Sequence, residues 1–106
     1  MSFDEFREKI RRGSPAPAGL SPLVEALWHD ARGDWNRAHK CAQRAPGPDG
    51  AWVHAYLHRK EGDAGNANYW YARAGRPPAT TALAAEWEAI ARELLARDGA
   101  TASSGA

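Results

Sequence analysis

Residues 26–48, ALWHDARGDWNRAHKCAQRAPGP, and residues 55–77, AYLHRKEGDAGNANYWYARAGRP, are one figure written twice. Sliding the chain against itself by 29 residues sets Ala26 on Ala55, His29 on His58, Gly33-Asp34 on Gly62-Asp63, Ala38 on Ala67, Arg44-Ala45 on Arg73-Ala74 and Pro48 on Pro77. Matches that fall together on turn and packing positions mark an internal repeat. Each copy is a helix that stops at a glycine, an aspartate that caps the next helix, and a second helix with small side chains at helical spacing. The first copy starts at Ser21-Pro22, an N-cap followed by proline at the first helical position, and runs through Leu23, Ala26 and Leu27 to Gly33. It resumes at Asp34 with Trp35, Ala38, Ala42 and Ala45, and the run Pro46-Gly47-Pro48-Asp49-Gly50 stops it. The second copy runs from Ala51 through Trp52, Ala55 and Tyr56 to Gly62, then from Asp63 through Ala67, Trp70, Tyr71 and Ala74 to Gly75. Each copy reads as an α-hairpin.

Beyond Pro77-Pro78 a last helix is expected from about Thr81 to Arg97, with Leu83, Trp87, Ile90, Ala91 and Leu94 on one face. It reads as a capping helix over the second hairpin, closed by Gly99, with 99–106 as a disordered tail. On the other side, Ser2 to Arg12 reads as a short helix with Ser2 as N-cap, Glu5 completing a capping box, and Phe3, Phe6 and Ile10 along one side. The alternating prolines of Ser14-Pro15-Ala16-Pro17-Ala18-Gly19 make an extended linker, so this helix is expected to dock loosely. The resulting organisation is 1–19 as helix and Pro/Ala linker, 20–98 as a helical-hairpin domain, and 99–106 as tail.

Composition agrees with an all-α fold. Two Val, two Ile and three Thr in 106 residues are too few to build a sheet, whereas alanine, the best helix former, occurs 23 times. A formal net charge of +1 gives no bulk attraction to nucleic acid or anionic lipid. The single cysteine, Cys41, excludes an intramolecular disulfide and a Cys-paired zinc ribbon. The N-terminus MSFDEFREKIRR lacks the apolar stretch of a signal peptide, so a cytoplasmic protein without membrane association is expected. Five Trp supply the large side chains that a small core needs.

Gly62-Asp63, Ala67, Tyr71, Ala74 and the nearby Pro77 fall at offsets that resemble the tetratricopeptide repeat. Gly33-Asp34, Ala38, Ala42 and Ala45 keep the small positions in the first copy, with Ala42 where the aromatic belongs. The resemblance covers residues 20 to 79 and departs in its period, 29 in place of the usual 34. The stretch from His54 to Pro77 also resembles a small uncharacterised bacterial protein family, which brings no activity with it. The tetratricopeptide resemblance implies two antiparallel hairpins and a groove, lined by the first helix of each, that holds an extended peptide or a partner helix. Carried over by register, the groove residues would be Trp52, Tyr56, Arg59 and Lys60. Trp52 and Tyr56 stand where the carboxylate-clamp subset has Lys and Asn, so a C-terminal carboxylate ligand is not implied.

No catalytic signature appears, and the reading is a non-catalytic protein- or peptide-binding module that needs no cofactor. A second surface is the stripe Asn66, Tyr69 and Arg73, which either anchors a partner or lies under the last helix near Trp87. Homodimerisation is one way to cover such a face. The rival reading is a metal- or ligand-binding protein using His54, His58 and Glu61, at i, i+4 and i+7 on one helix. Packing of His58 and its repeat partner His29 inside the hairpins is the plainer account of that spacing. Arg59, Lys60, Arg73 and Arg76 among Tyr69, Trp70 and Tyr71 could face single-stranded nucleic acid, but Glu61 and Asp63 interrupt the patch, so a solvated face is preferred. Cys41 reads as a small buried residue rather than a nucleophile.

Overall fold

The structure, a computed structural model, describes residues 1–105, with side chains through Arg97. Its elements are α1 (Phe3–Arg11), α2 (Pro22–Ala31), α3 (Trp35–Gln43), α4 (Pro48–Glu61), α5 (Ala64–Ala74) and α6 (Leu83–Gly105), with no strand among the described residues. None of these helices is long and apolar enough to cross a membrane.

The two copies of the repeat turn in the same way. After α2, Gly33 takes φ 82°, and after α4, Gly62 takes φ 91°, a left-handed backbone that glycine enters without steric cost. The next amide then reaches back over the helix end: Asp34 N donates to His29 O at 2.9 Å, and Asp63 N to His58 O at 3.0 Å. Each aspartate caps the following helix, Asp34 accepting from Arg37 N at 3.0 Å and Asp63 from Asn66 N at 3.1 Å. Consequently α2 packs chiefly on α3 and α4 chiefly on α5, while α3 and α4 share a smaller interface.

Helix α4 is the centre of the molecule and touches α2, α3, α5 and α6. Every residue from Gly50 to His58 is buried, so the helix presents no amphipathic stripe. It also begins earlier than the sequence implies. Pro48, read as a terminator, is the first helical residue of α4, a position where its missing N–H costs nothing. Gly50 lies inside α4 against the Ala45 carbonyl, where an added Cβ would come within 1.9 Å of the oxygen.

Helix α1 is part of the core rather than a loosely docked arm. Phe6 is 0% exposed, edge-on to Trp28 at 5.6 Å and stacked on Trp87 at 6.0 Å, while Phe3 meets Trp87 at 6.0 Å. Burial of two Phe side chains outweighs the freedom that the proline linker retains. The expected cap is present, with Glu5 N donating to Ser2 Oγ at 3.1 Å.

Helix α6 starts at Leu83 rather than Thr81 and buries Ile90, Ala91, Leu94 and Leu95 against the other helices. It runs past Gly99 to Gly105, through the stretch expected to be a disordered tail. One glycine costs a helix about 1 kcal/mol and does not by itself end it. Ala106, the last residue of that expected tail, lies outside the described residues.

Candidate functional site

The four residues assigned to a groove by resemblance each have a partner within the chain, although Lys60 is exposed. Tyr56 donates its hydroxyl to Asp30 at 2.7 Å, and Lys60 donates to the other oxygen of the same buried carboxylate at 2.9 Å. Arg59 donates to buried Glu86 at 2.9 Å and to the Thr81 carbonyl, and Tyr71 donates to the second Glu86 oxygen at 2.5 Å. Trp52 is buried beneath the Arg76 guanidinium, 3.5 Å from its ring centroid. Burial, then the carboxylate each one faces, pushes the Tyr56 and Tyr71 hydroxyls far above the ordinary tyrosine range. Trp52, Tyr56, Arg59 and Lys60 are thus all tied to groups of the chain itself, and they do not line one continuous groove: Tyr56 and Lys60 border a cleft of about 350 Å³ with Ile10, Leu83 and Trp87, whereas Trp52 borders a separate one with Arg76 and Glu86.

The α5 stripe is different. Asn66, Tyr69 and Arg73 all face solvent, and Tyr69, at 54%, is the most exposed large apolar side chain among the described residues. Trp87 does not cover this stripe, since it packs on α1 and donates its Nε1 to the Leu27 carbonyl at 3.1 Å. Arg73 lies over Tyr69 and Trp70, 5.6 and 5.5 Å from their centroids, and donates to the Tyr69 hydroxyl at 3.2 Å. It forms no ion pair among the described residues. Beside it opens a cleft of about 360 Å³ between the end of α3, the start of α4 and α5, lined by Ala42, Ala45, Pro46, His54, Trp70 and Arg73.

Behind the cleft the histidines converge. Trp35 donates its Nε1 to the Leu57 carbonyl at 2.8 Å, which docks α3 on α4, and His39 stacks on Trp35 at 4.9 Å one turn later. The His39 ring lies 5.0 Å from His54 and 5.2 Å from His58, and His54 stacks on Trp70 at 4.2 Å. One ring nitrogen from each of His39, His54 and His58 lies within 4.8 Å of the other two. Burial, then the neighbouring rings, holds His54 down at about 4, and burial followed by His58 also lowers His39, so both are neutral at pH 7.

Glu61, expected as a third ligand, instead sits 2.7 Å from His58 Nδ1. A carboxylate there accepts a hydrogen bond from Nδ1–H of the neutral ring and leaves Nε2 as the lone-pair nitrogen. His54 Nδ1 is buried and has no hydrogen-bond partner among the described residues. A buried polar atom left in that state costs about 1–3 kcal/mol. His39 is the member that the sequence reading missed. Its signal was the i, i+4 pair Trp35 and His39 on α3, facing the i, i+4 pair His54 and His58 on α4.

The positions of His54 and His58 in the second copy are held by Glu25 and His29 in the first, and these meet Cys41 from α3. That cluster is closed on itself. Cys41 donates its thiol to Glu25 at 3.0 Å, and His29 and Arg44 approach the same carboxylate at 3.6 and 3.9 Å. The thiol hydrogen bond holds the Glu25 carboxyl below its usual range, while burial and Glu25 push Cys41 up to about 11. Cys41 is thus a protonated thiol at neutral pH and a poor nucleophile. Comparison with family models, curated proteins and solved structures finds no match for this chain.

Proposed function

We propose that the two helical pairs are tetratricopeptide-like hairpins of a non-catalytic, cytoplasmic binding module, and that its recognition surface is the α5 stripe with the adjoining cleft. The repeated turn geometry at Gly33-Asp34 and Gly62-Asp63 supports the hairpin reading. The observation that carries the binding reading is Tyr69 with Arg73: an exposed tyrosine and an arginine without a carboxylate partner among the described residues, beside a cleft walled by alanine, proline, tryptophan and His54. Tyrosine offers wide contact area at little entropic cost, and arginine makes forked bonds to carboxylates. The partner is therefore a peptide segment that places an apolar side chain in the cleft and an aspartate or glutamate on Arg73.

Selection of a displayed peptide library on the full chain tests this. Enriched peptides should share an apolar residue next to an acidic one and should lose binding to Arg73→Ala and Tyr69→Ala proteins that retain wild-type helicity. Absence of enrichment, or equal binding to Arg73→Ala, would overturn the reading. A dimer in sedimentation that Tyr69→Ala dissolves would assign the face to a second copy of the chain instead.

A further inference from the structure

We propose that His39, His54 and His58 bind one zinc ion, with Glu61 orienting His58 from outside the coordination sphere. The donor set comes from two helices. His54 and His58 lie one turn apart on α4, and His39 reaches them from α3, with one nitrogen of each ring inside a 4.8 Å circle. Tetrahedral zinc at about 2.0–2.1 Å from each nitrogen needs the three to stand about 3.3 Å apart. Small side-chain rotations close that difference, most readily at half-buried His39.

Three features favour a cation here over plain packing. His54 Nδ1 is a buried nitrogen without a partner, in a residue only 6% exposed, which is the kind of atom that a metal satisfies. The 2.7 Å contact between Glu61 and His58 Nδ1 is the carboxylate–histidine arrangement that fixes the tautomer and raises the basicity of a ligating imidazole. Trp35 and Trp70 flank the cluster with apolar surface, so a bound ion is shielded from water on two sides.

The neighbouring cluster of Glu25, His29 and Cys41 has no buried nitrogen left unpartnered among the described residues, and its carboxylate already accepts the Cys41 thiol. Three neutral nitrogens suit zinc, with one tetrahedral position left for an outside ligand, whereas copper(II) and nickel(II) favour square-planar or tetragonal sites. The consequence for the fold is a staple between α3 and α4, the junction of the two repeats, where the helices share less surface than within either pair. This inference does not depend on the peptide-binding reading.

The test uses the full chain, freed of any affinity tag and stripped of metal, titrated with zinc against a chromophoric chelator at pH 7.5. One zinc should bind per chain. Glu61→Gln should weaken it about 10–100-fold, and His39→Ala by at least as much, both with helicity retained in circular dichroism. His29→Ala and Cys41→Ser should bind as wild type, and cobalt should give tetrahedral visible bands without thiolate absorption. Failure to bind zinc, wild-type affinity in His39→Ala, or loss of binding in Cys41→Ser would each overturn the proposal.

Discussion

Arg59 and Arg73 stand on neighbouring helices with the same charge, yet among the described residues only Arg59 has a carboxylate to answer. Glu86 is buried and depends on Arg59 and Tyr71 for its hydrogen bonds, so Arg59→Ala strands a charge. The expected loss in urea unfolding is about 3 kcal/mol, the low end for a broken buried pair because the Tyr71 hydroxyl remains. Arg73→Ala should change stability by no more than about 0.5 kcal/mol, the range for an exposed side chain, while abolishing peptide binding. No sequence pattern separates these two arginines, since each follows an aromatic at helical spacing. The difference comes from α6, which brings Glu86 to Arg59 from 27 residues away.

His54 gives a second prediction at the residue scale. Its folded value is held at about 4 against 6.5 for an unperturbed imidazole, so between those values the unfolded chain binds the extra proton. The His54 contribution to the stability of the metal-free protein should therefore fall as pH drops below about 6.5 and be spent near 4, and His54→Gln should flatten that part of the profile in urea unfolding. A profile unchanged by the substitution would contradict the burial of a neutral imidazole.

Helix ends were legible where the signal is local. Ser2, Asp34 and Asp63 cap as their positions imply, because a cap needs only the next three residues. The start of α4 was not legible, since Pro48 serves equally as a terminator and as a first helical residue, and the packing of Gly50 under Ala45 decides between them. Gly50→Ala should destabilise the protein by at least about 1–3 kcal/mol in chemical unfolding, because its Cβ meets a backbone oxygen that cannot move aside cheaply. The burial of α1 was also hidden: Phe3, Phe6 and Ile10 showed an apolar face, but the proline linker obscured what that face meets. Phe6→Ala should cost about 3–5 kcal/mol by the same measurement, which a loosely docked arm would not show.

For the whole molecule, the repeat found by sliding the sequence sets the two helical pairs, while the order of burial around α4 was beyond it. Register from a resemblance assigned Trp52 and Tyr56 to one groove, but α6 packs across α4 and leaves them bordering two separate clefts. The histidine cluster was half legible: one helix supplied His54 and His58 by spacing, and only the packing of α3 on α4 supplied His39. If zinc staples the repeats, it should raise the thermal unfolding midpoint of wild-type protein and leave that of His39→Ala unchanged, since a ligand of the native state alone stabilises it.

The recognition surface on α5 is the centre of the account, and calorimetric titration of a selected acidic–apolar peptide into wild-type, Arg73→Ala and Lys60→Arg proteins tests it most directly. The account predicts that wild type and Lys60→Arg bind alike while Arg73→Ala does not bind. Binding that survives Arg73→Ala and fails in Lys60→Arg would place recognition on α4 and contradict it.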